Sequence, residues 1–356
     1  MLKPTHPLND GRTTNSLLVE SLRGRRTSPI PVWFMRQAGR SLPEYRELRV
    51  GTSMLEACLT PDLVVEITLQ PVRRHGVDAA IFFSDIVVPL KLAGIDVEIE
   101  AGVGPVIAEP VRDEISLQAL QPIRDASLSP ITEAVQKVVE KLGKTPLIGF
   151  GGAPFTVASY LIEGGPSKDL PHTRALMANE PELFGRILDW CADVTAKFVI
   201  AQVEAGASAL QIFDSWAGKL SPTEYRTFAR PASERLFAAL STLIDDSGQP
   251  VPRIHFGMVS EELLVDFRDA GATAVGIGSE VSLHKAAQLL EGVPLQGNLS
   301  PELLDAPWVE VEGAVRAIIE EGKHAPGHVF NLGHGVPKDA DPEVLTRIVS
   351  LVHEAS

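Results

Sequence analysis

Short runs of consecutive apolar residues, separated by longer amphipathic stretches, recur along the whole 356-residue chain. They fall at Val32–Arg36, Ala79–Phe83, Pro146–Gly152, Ala209–Ser215, Arg253–Gly257, Ala274–Gly278, Pro294–Asn298 and Val329–Gly335. Most do not alternate with polar residues, so they predict strands covered on both faces, the pattern of a parallel sheet. Parallel strands need crossover connections, and helix signals fill most of the gaps. Ser221, Pro222 and Glu224 supply a cap, a first-turn proline and a capping-box acid. Glu180, Pro181 and Glu182 open a helix through Val203, and Ser300, Pro301 and Glu302 resemble another start. Asp341, Pro342 and Glu343 open the last helix, which ends near His353. Eight such units predict an α/β fold, a single (β/α)8 TIM barrel with its active site at the C-terminal ends of the strands. A doubly wound open sheet is the runner-up.

Two connections are irregular. Residues 84–115 predict a small hairpin, with arms Val87–Leu92 and Asp96–Glu100 and a turn at Gly94. After the first strand come helix candidates at Glu44–Arg49, Met54–Ala57 and Pro61–His75. No low-complexity linker or internal repeat divides the chain. Residues 1–15 read as a flexible N-terminal extension, and residues 16–356 as one catalytic barrel domain. The extension has no apolar segment of the signal-peptide kind, and no run of about 18 apolar residues predicts a membrane span. Cys58 and Cys191 are too few for a disulfide framework or a four-cysteine zinc site. They read as reduced, buried thiols of a cytoplasmic protein.

Charge is unevenly placed. The net charge is −14, which argues against a nucleic-acid partner. Yet residues 21–49 hold Arg23, Arg25, Arg26, Arg36, Arg40, Arg46 and Arg49 against only Glu44 and Glu47, a local charge of +5 in a chain otherwise at −19. Arginine suits planar, bidentate capture of carboxylate or phosphate. Arg23, Arg25 and Arg26 read as solvated or ion-paired, whereas Arg36, between an apolar strand and a glycine-containing loop, reads as functional. Asp85 follows the uncharged strand Ala79–Phe83, where a carboxylate needs a partner or a purpose; its plain alternative is a helix cap. His334 lies between Gly333 and Gly335, where backbone and ligand approach closely, or is simply a turn histidine.

Other motifs fail. Gly149, Gly151 and Gly152 do not make a dinucleotide fingerprint, since Pro154 takes the last slot, and no Walker A motif is present. Ser282 and Lys285 match S-x-x-K without its companions. His324 and His328 have the spacing of a zinc pair, but Pro326 and Gly327 oppose a helix there, so no metal site is expected.

Two long motifs, PVWFMRQAGRSLPEYRELR at Pro31–Arg49 and GFGGAPFTVASYLIEGG at Gly149–Gly165, resemble the signatures of the uroporphyrinogen decarboxylase family. Agreement continues at Glu66–Ile86, Leu210–Gly218, Leu295–Pro301 and Asn331–Val336. Ser41, where the family often has an aromatic residue, and Pro337, directly after Val336, depart from the pattern. The resemblance implies a homodimeric (β/α)8 barrel that removes the four acetate carboxyls of uroporphyrinogen III, giving coproporphyrinogen III and CO2, with no metal or organic cofactor. It implies Asp85 and Arg36 as catalytic residues. It implies substrate contacts by Arg36, Gln37, Ala38, Gly39, Arg40, Arg49, Asp85, Tyr160, Ser215 and His334, with Phe213 as a packing wall. Asp85 is expected to stay ionised, and the proton donor is open between Arg36, His334 and water. The rivals are a cobamide-dependent methyltransferase of the same superfamily, which would need a His-x-Cys where this chain has His255-Phe256-Gly257, and a non-catalytic tetrapyrrole carrier.

Overall fold

The computed structural model describes all residues from Met1 to Ser356. Its centre is a curled parallel sheet. Strand β1 (Ala80–Ile81) is followed by a peripheral antiparallel hairpin, β2 (Val97–Glu100) and β3 (Gly104–Ile107). The sheet then continues through β4 (Leu147–Gly152), β5 (Ala209–Phe213), β6 (Arg253–Phe256), β7 (Ala274–Gly276), β8 (Leu295–Gln296) and β9 (His328–Val329). The seven central strands pair in the order β1-β4-β5-β6-β7-β8-β9, all parallel. The order never reverses, so the sheet has no switch point and is not doubly wound.

The first predicted strand is reduced to a single parallel bridge between Val32 and Phe330. Phe330 N donates to Pro31 O at 2.8 Å, and on the other side Asp78 N donates to Val32 O at 2.8 Å. This segment therefore touches both ends of the seven-stranded sheet. The other strands are also shorter than predicted. Except in β4, which keeps Gly152 paired with Phe213, their last residues leave the ladder and form the loops that follow.

The glycines of the 149–152 run have a packing purpose. A Cβ at Gly149 would meet Leu210 Cδ2 at 2.7 Å, and one at Gly151 would meet Val199 Cγ1 at 2.6 Å. Strand β4 thus lies close against the helix Pro181–Ala205, and Gln202 from that helix accepts from Phe150 N at 2.8 Å and donates to Phe150 O at 3.0 Å. On the opposite face of the sheet, Trp33, Ile148, Ala209, Ile254, Ala274 and Val329 share one buried cluster. Trp33 Nε1 donates to Gln296 Oε1 at 2.9 Å, and Gln296 Nε2 donates to Gln211 Oε1 at 2.7 Å, so amides are linked inside the apolar wall.

Three expectations are corrected. The first arm of the predicted hairpin is a short helix, Val88–Leu92; Pro89 fits a first helical turn and has no N–H for a ladder, so the hairpin is built one segment later. The start at Ser300 gives only a 3-10 turn, Pro301–Asp305, and the full helix begins at Trp308, after Pro307. The N-terminal segment does not extend as a loose tail. Leu2, His6, Leu8 and Thr13 are buried, Leu2 N donates to Ile244 O at 2.9 Å, and the hydroxyls of Thr13 and Ser208 are 2.8 Å apart. The buried leucines, each worth about 1.5–3 kcal/mol, act together with these hydrogen bonds and that of His6 to Val203 O.

Candidate active site

Arg36 marks the site by its backbone. Its φ is +61°, a left-handed conformation that a non-glycine residue adopts only where its surroundings enforce it. A Cβ on Gly39 would meet Arg36 O at 2.9 Å, so the turn needs that glycine. A Cβ on Gly335 would overlap the Arg36 side chain, with Cγ only 2.7 Å away. Gly335 therefore lies directly against the arginine side chain, while Gly333 packs on Ser279. Gln37 is fully buried; its Oε1 accepts from Phe34 N at 2.9 Å and its Nε2 donates to Ala79 O at 3.1 Å. The Gln37 side chain braces the turn, while Ala38 and Gly39 are half-buried beside it.

The arginine-rich stretch divides cleanly. Arg23 pairs with buried Asp245 at 2.6 Å, Arg25 pairs with Glu20 at 2.6 Å, and Arg26 donates to Lys323 O at 2.6 Å. Arg46 donates to Arg40 O at 2.7 Å. Arg49 donates to Tyr45 Oη at 2.6 Å and to Thr52 O at 3.2 Å, leaving its buried Nε unpartnered. Arg36 and Arg40 are exposed, and neither guanidinium makes a hydrogen bond or ion pair within the chain. Their positive charge is left for something outside the chain.

Asp85, half-buried, sits three residues beyond Phe82, whose N–H donates to Ile148 O, and within reach of the Arg36 charge. Burial raises its pKa above the usual carboxylate range, opposed by the N–H of Val87 at 3.1 Å, the charge of Arg36 and the N–H of Ile86. Tyr160 projects from the helix Pro154–Glu163, and its phenol is pushed up to about 12 by burial and by the negative charge of Asp85, with Arg36 acting the other way. Burial and Arg36 together lower the pKa of His334. One guanidinium charge thus reaches Asp85, Tyr160 and His334, three residues from three separate parts of the sequence.

The other predicted residues occupy neighbouring ground. Ser215 is exposed in the loop after β5, and Phe213 joins an aromatic row with Phe150 at 4.9 Å and Phe256 at 6.0 Å between ring centroids. Arg49, unlike Arg36 and Arg40, is hydrogen-bonded within the chain. Its charge acts on Cys58, as does that of Asp85, but its hydrogen bonds serve the Tyr45 and Thr52 corner. His255 is buried and stacked on Phe267, with centroids 3.7 Å apart, and its Nε2 lies 3.4 Å from Asp214 Oδ2.

Trp216 and Phe150 escaped the sequence reading. Trp216 follows Ser215 directly and stacks on Tyr160, with centroids 4.1 Å apart and planes at 24°. A tryptophan in a polar loop just past a strand end is the signal that was available. Phe150 is hidden in its glycine run, where nothing marks it as facing Phe213.

The uroporphyrinogen decarboxylase (URO-D) family model matches residues 13–355. This chain belongs to the uroporphyrinogen decarboxylase family. A uroporphyrinogen decarboxylase of Arthrobacter sp. strain FB24 is 53% identical over 98% of this chain and 99% of its own length. One from Nocardia farcinica is 54% identical over 96% of this chain and 97% of its own. Family membership makes the chain a carboxy-lyase. Among solved structures, a methyltransferase from Methanosarcina mazei superposes with a TM-score of 0.78, covering 96% of this chain and 98% of the other at 21% identity. That likeness shows a shared fold.

Proposed function

We propose that this chain removes the four acetate carboxyls of uroporphyrinogen III, releasing CO2 and coproporphyrinogen III, at the mouth around Arg36. The observation that carries the reading is the reach of the Arg36 charge to Asp85, Tyr160 and His334, with Arg36 and Arg40 free of protein partners. A substrate with eight carboxylates requires local cations, and two unpaired guanidinium groups supply them. The acidic remainder of the chain is screened beyond about 8 Å.

Loss of CO2 needs an electron sink. Protonation of a pyrrole carbon turns that ring into an iminium. The C–C bond to the carboxyl then breaks, its electrons flow into the ring, and CO2 leaves. A second proton converts the methylene to methyl, and the ring proton is returned. The sink lies in the substrate, so the protein's part is electrostatic. An ionised Asp85 accepts hydrogen bonds from pyrrole N–H groups and stabilises the ring cation, a role commonly worth several kcal/mol. Tyr160, Ser215 and His334 orient the carboxylates, Phe213 walls the ring, and Gln37 braces the Arg36 turn. Arg36, His334 and water remain the candidate proton donors.

The Pro31–Phe34 segment acts in this reading as the eighth stave that closes a (β/α)8 barrel, supported by its hydrogen bonds to Phe330 and Asp78. Residues 16–356 then form one catalytic domain. The family resemblance supports a homodimer, and the free, buried Cys58 and Cys191 suit a cytoplasmic setting. Anaerobic incubation with uroporphyrinogen III tests the assignment. Coproporphyrinogen III and CO2 are expected; tight binding with no CO2 would turn the reading to a carrier.

A further inference from the structure

Tyr160 is held in an unusual way for a residue of such a site. Its hydroxyl has no hydrogen-bond partner within the chain, so its ring position depends on packing, and the ring it packs on is Trp216. Trp216 is itself fixed from two directions. Its backbone N–H donates to Thr156 Oγ1 at 3.2 Å, and Thr156 Oγ1 donates to Asp214 Oδ1 at 2.8 Å. Thr156 and Asp214 are both fully buried. Lys219 lies over the Trp216 ring at 5.1 Å from its centroid, and its ammonium is tied to Ser167 O at 2.8 Å and Lys168 O at 2.7 Å. Thr156 lies in the first turn of the helix that carries Tyr160, and Asp214 directly follows β5 and opens the loop that carries Ser215 and Trp216. One buried hydrogen bond therefore sets the spacing of the two segments whose aromatic rings meet.

We propose that Trp216, anchored by the Thr156–Asp214 hydrogen bond, is a positioning residue that aims the Tyr160 hydroxyl into the active site. Offset stacking at this separation favours one relative ring placement, and replacing the indole by an aliphatic chain releases the phenol to other rotamers. The inference rests on the reading that Tyr160 contacts the substrate, and its test separates the two.

The test is a double-mutant cycle on kcat/KM for uroporphyrinogen III, with the melting temperature of each variant recorded. Trp216→Leu is expected to lose about 10-fold in the Tyr160-containing enzyme and under about 2-fold in a Tyr160→Phe background, because coupled residues fail to add. Trp216→Phe, which keeps a stacking ring, should stay within about 3-fold of wild type. If the leucine variant does not fold, Trp216→Met takes its place in the cycle. Equal losses in both backgrounds, with Tyr160→Phe itself impaired, would overturn the positioning role and leave the site reading intact. A fully active Tyr160→Phe would overturn both.

Discussion

Asp85 is costly to bury and is nevertheless kept beside a single positive charge. Burial is the largest influence on its pKa and works against ionisation, while two backbone N–H groups and Arg36 support the carboxylate. That balance suits a group waiting for N–H donors from a substrate cation, since a bound pyrrole ring would complete what the protein leaves incomplete. Asp85→Asn keeps the shape and removes the charge. Its kcat/KM on uroporphyrinogen III should fall about 100- to 1000-fold, and activity within a few-fold of wild type would remove Asp85 from the mechanism. At this scale the sequence was informative where a polar residue interrupted an apolar context, as at Arg36, Asp85 and His334. It was uninformative where function depends on which neighbour a side chain finds. Gln37 carries the same motif signal as Arg36 but spends its amide on Phe34 and Ala79. Arg49 spends its guanidinium on Tyr45 and Thr52. Trp216 meets the site through a stack with a residue 56 positions away in sequence.

Elements with strong local signals formed where expected. Helix Pro61–His75 and the helix from Pro181 begin at their prolines, and Ser221 closes its capping box with Glu224. The failures were elements whose identity depends on tertiary partners. The 87–92 segment has strand-like residues but a proline that favours a helical turn, and Val32–Arg36 reads as a full strand yet retains only one bridge, at Val32. What holds that short segment is a clasp. Asp78 Oδ2 accepts from Val32 N at 2.7 Å and from His353 Nε2 at 2.8 Å, tying the last helix, Pro342–Ala355, to the closing segment. Asp78 raises the pKa of His353 above its ordinary value of 6.5. A histidine raised by folding adds stability that is complete below the unfolded pKa and is lost as pH rises through the folded one. Because the pair is partly exposed, its contribution is about 1 kcal/mol. Urea denaturation should therefore show wild type ahead of His353→Gln at pH 6, with the gap shrinking as pH rises past 7. A gap that is constant with pH would show that the clasp works through packing alone.

Across the whole molecule, buried neutral histidines join parts of the chain far apart in sequence, and they carry the opposite pH dependence. His6 Nε2 donates to Val203 O at 2.9 Å while its Nδ1 accepts from Leu8 N at 3.1 Å, an arrangement that only a neutral ring makes; burial lowers its pKa. His75 meets Thr346 Oγ1 at 2.8 Å and links the helix Pro61–His75 to the last helix; burial and Arg74 push its pKa down to about 4. His328 Nε2 donates to Gly297 O at 2.8 Å, joining β9 to the end of β8, and burial again brings its pKa to about 4. In the unfolded chain each imidazole titrates near 6.5. Below that value the unfolded state binds more protons than the folded state, so stability falls as pH drops from 6.5 toward 4. A pKa lowered by about 2.5 units corresponds to about 3 kcal/mol at the acid limit for each of His75 and His328, as an upper bound. Three independent joints, at the N-terminal segment, the last helix and the final strand, should therefore loosen together between pH 6.5 and 4.5. The expected result is a loss of several kcal/mol in urea-measured stability over that range. A His75→Gln/His328→Gln variant, less stable at pH 7, should lose clearly less between the two pH values. Parallel pH slopes for the variant and wild type would show that other groups govern the acid limit of this fold.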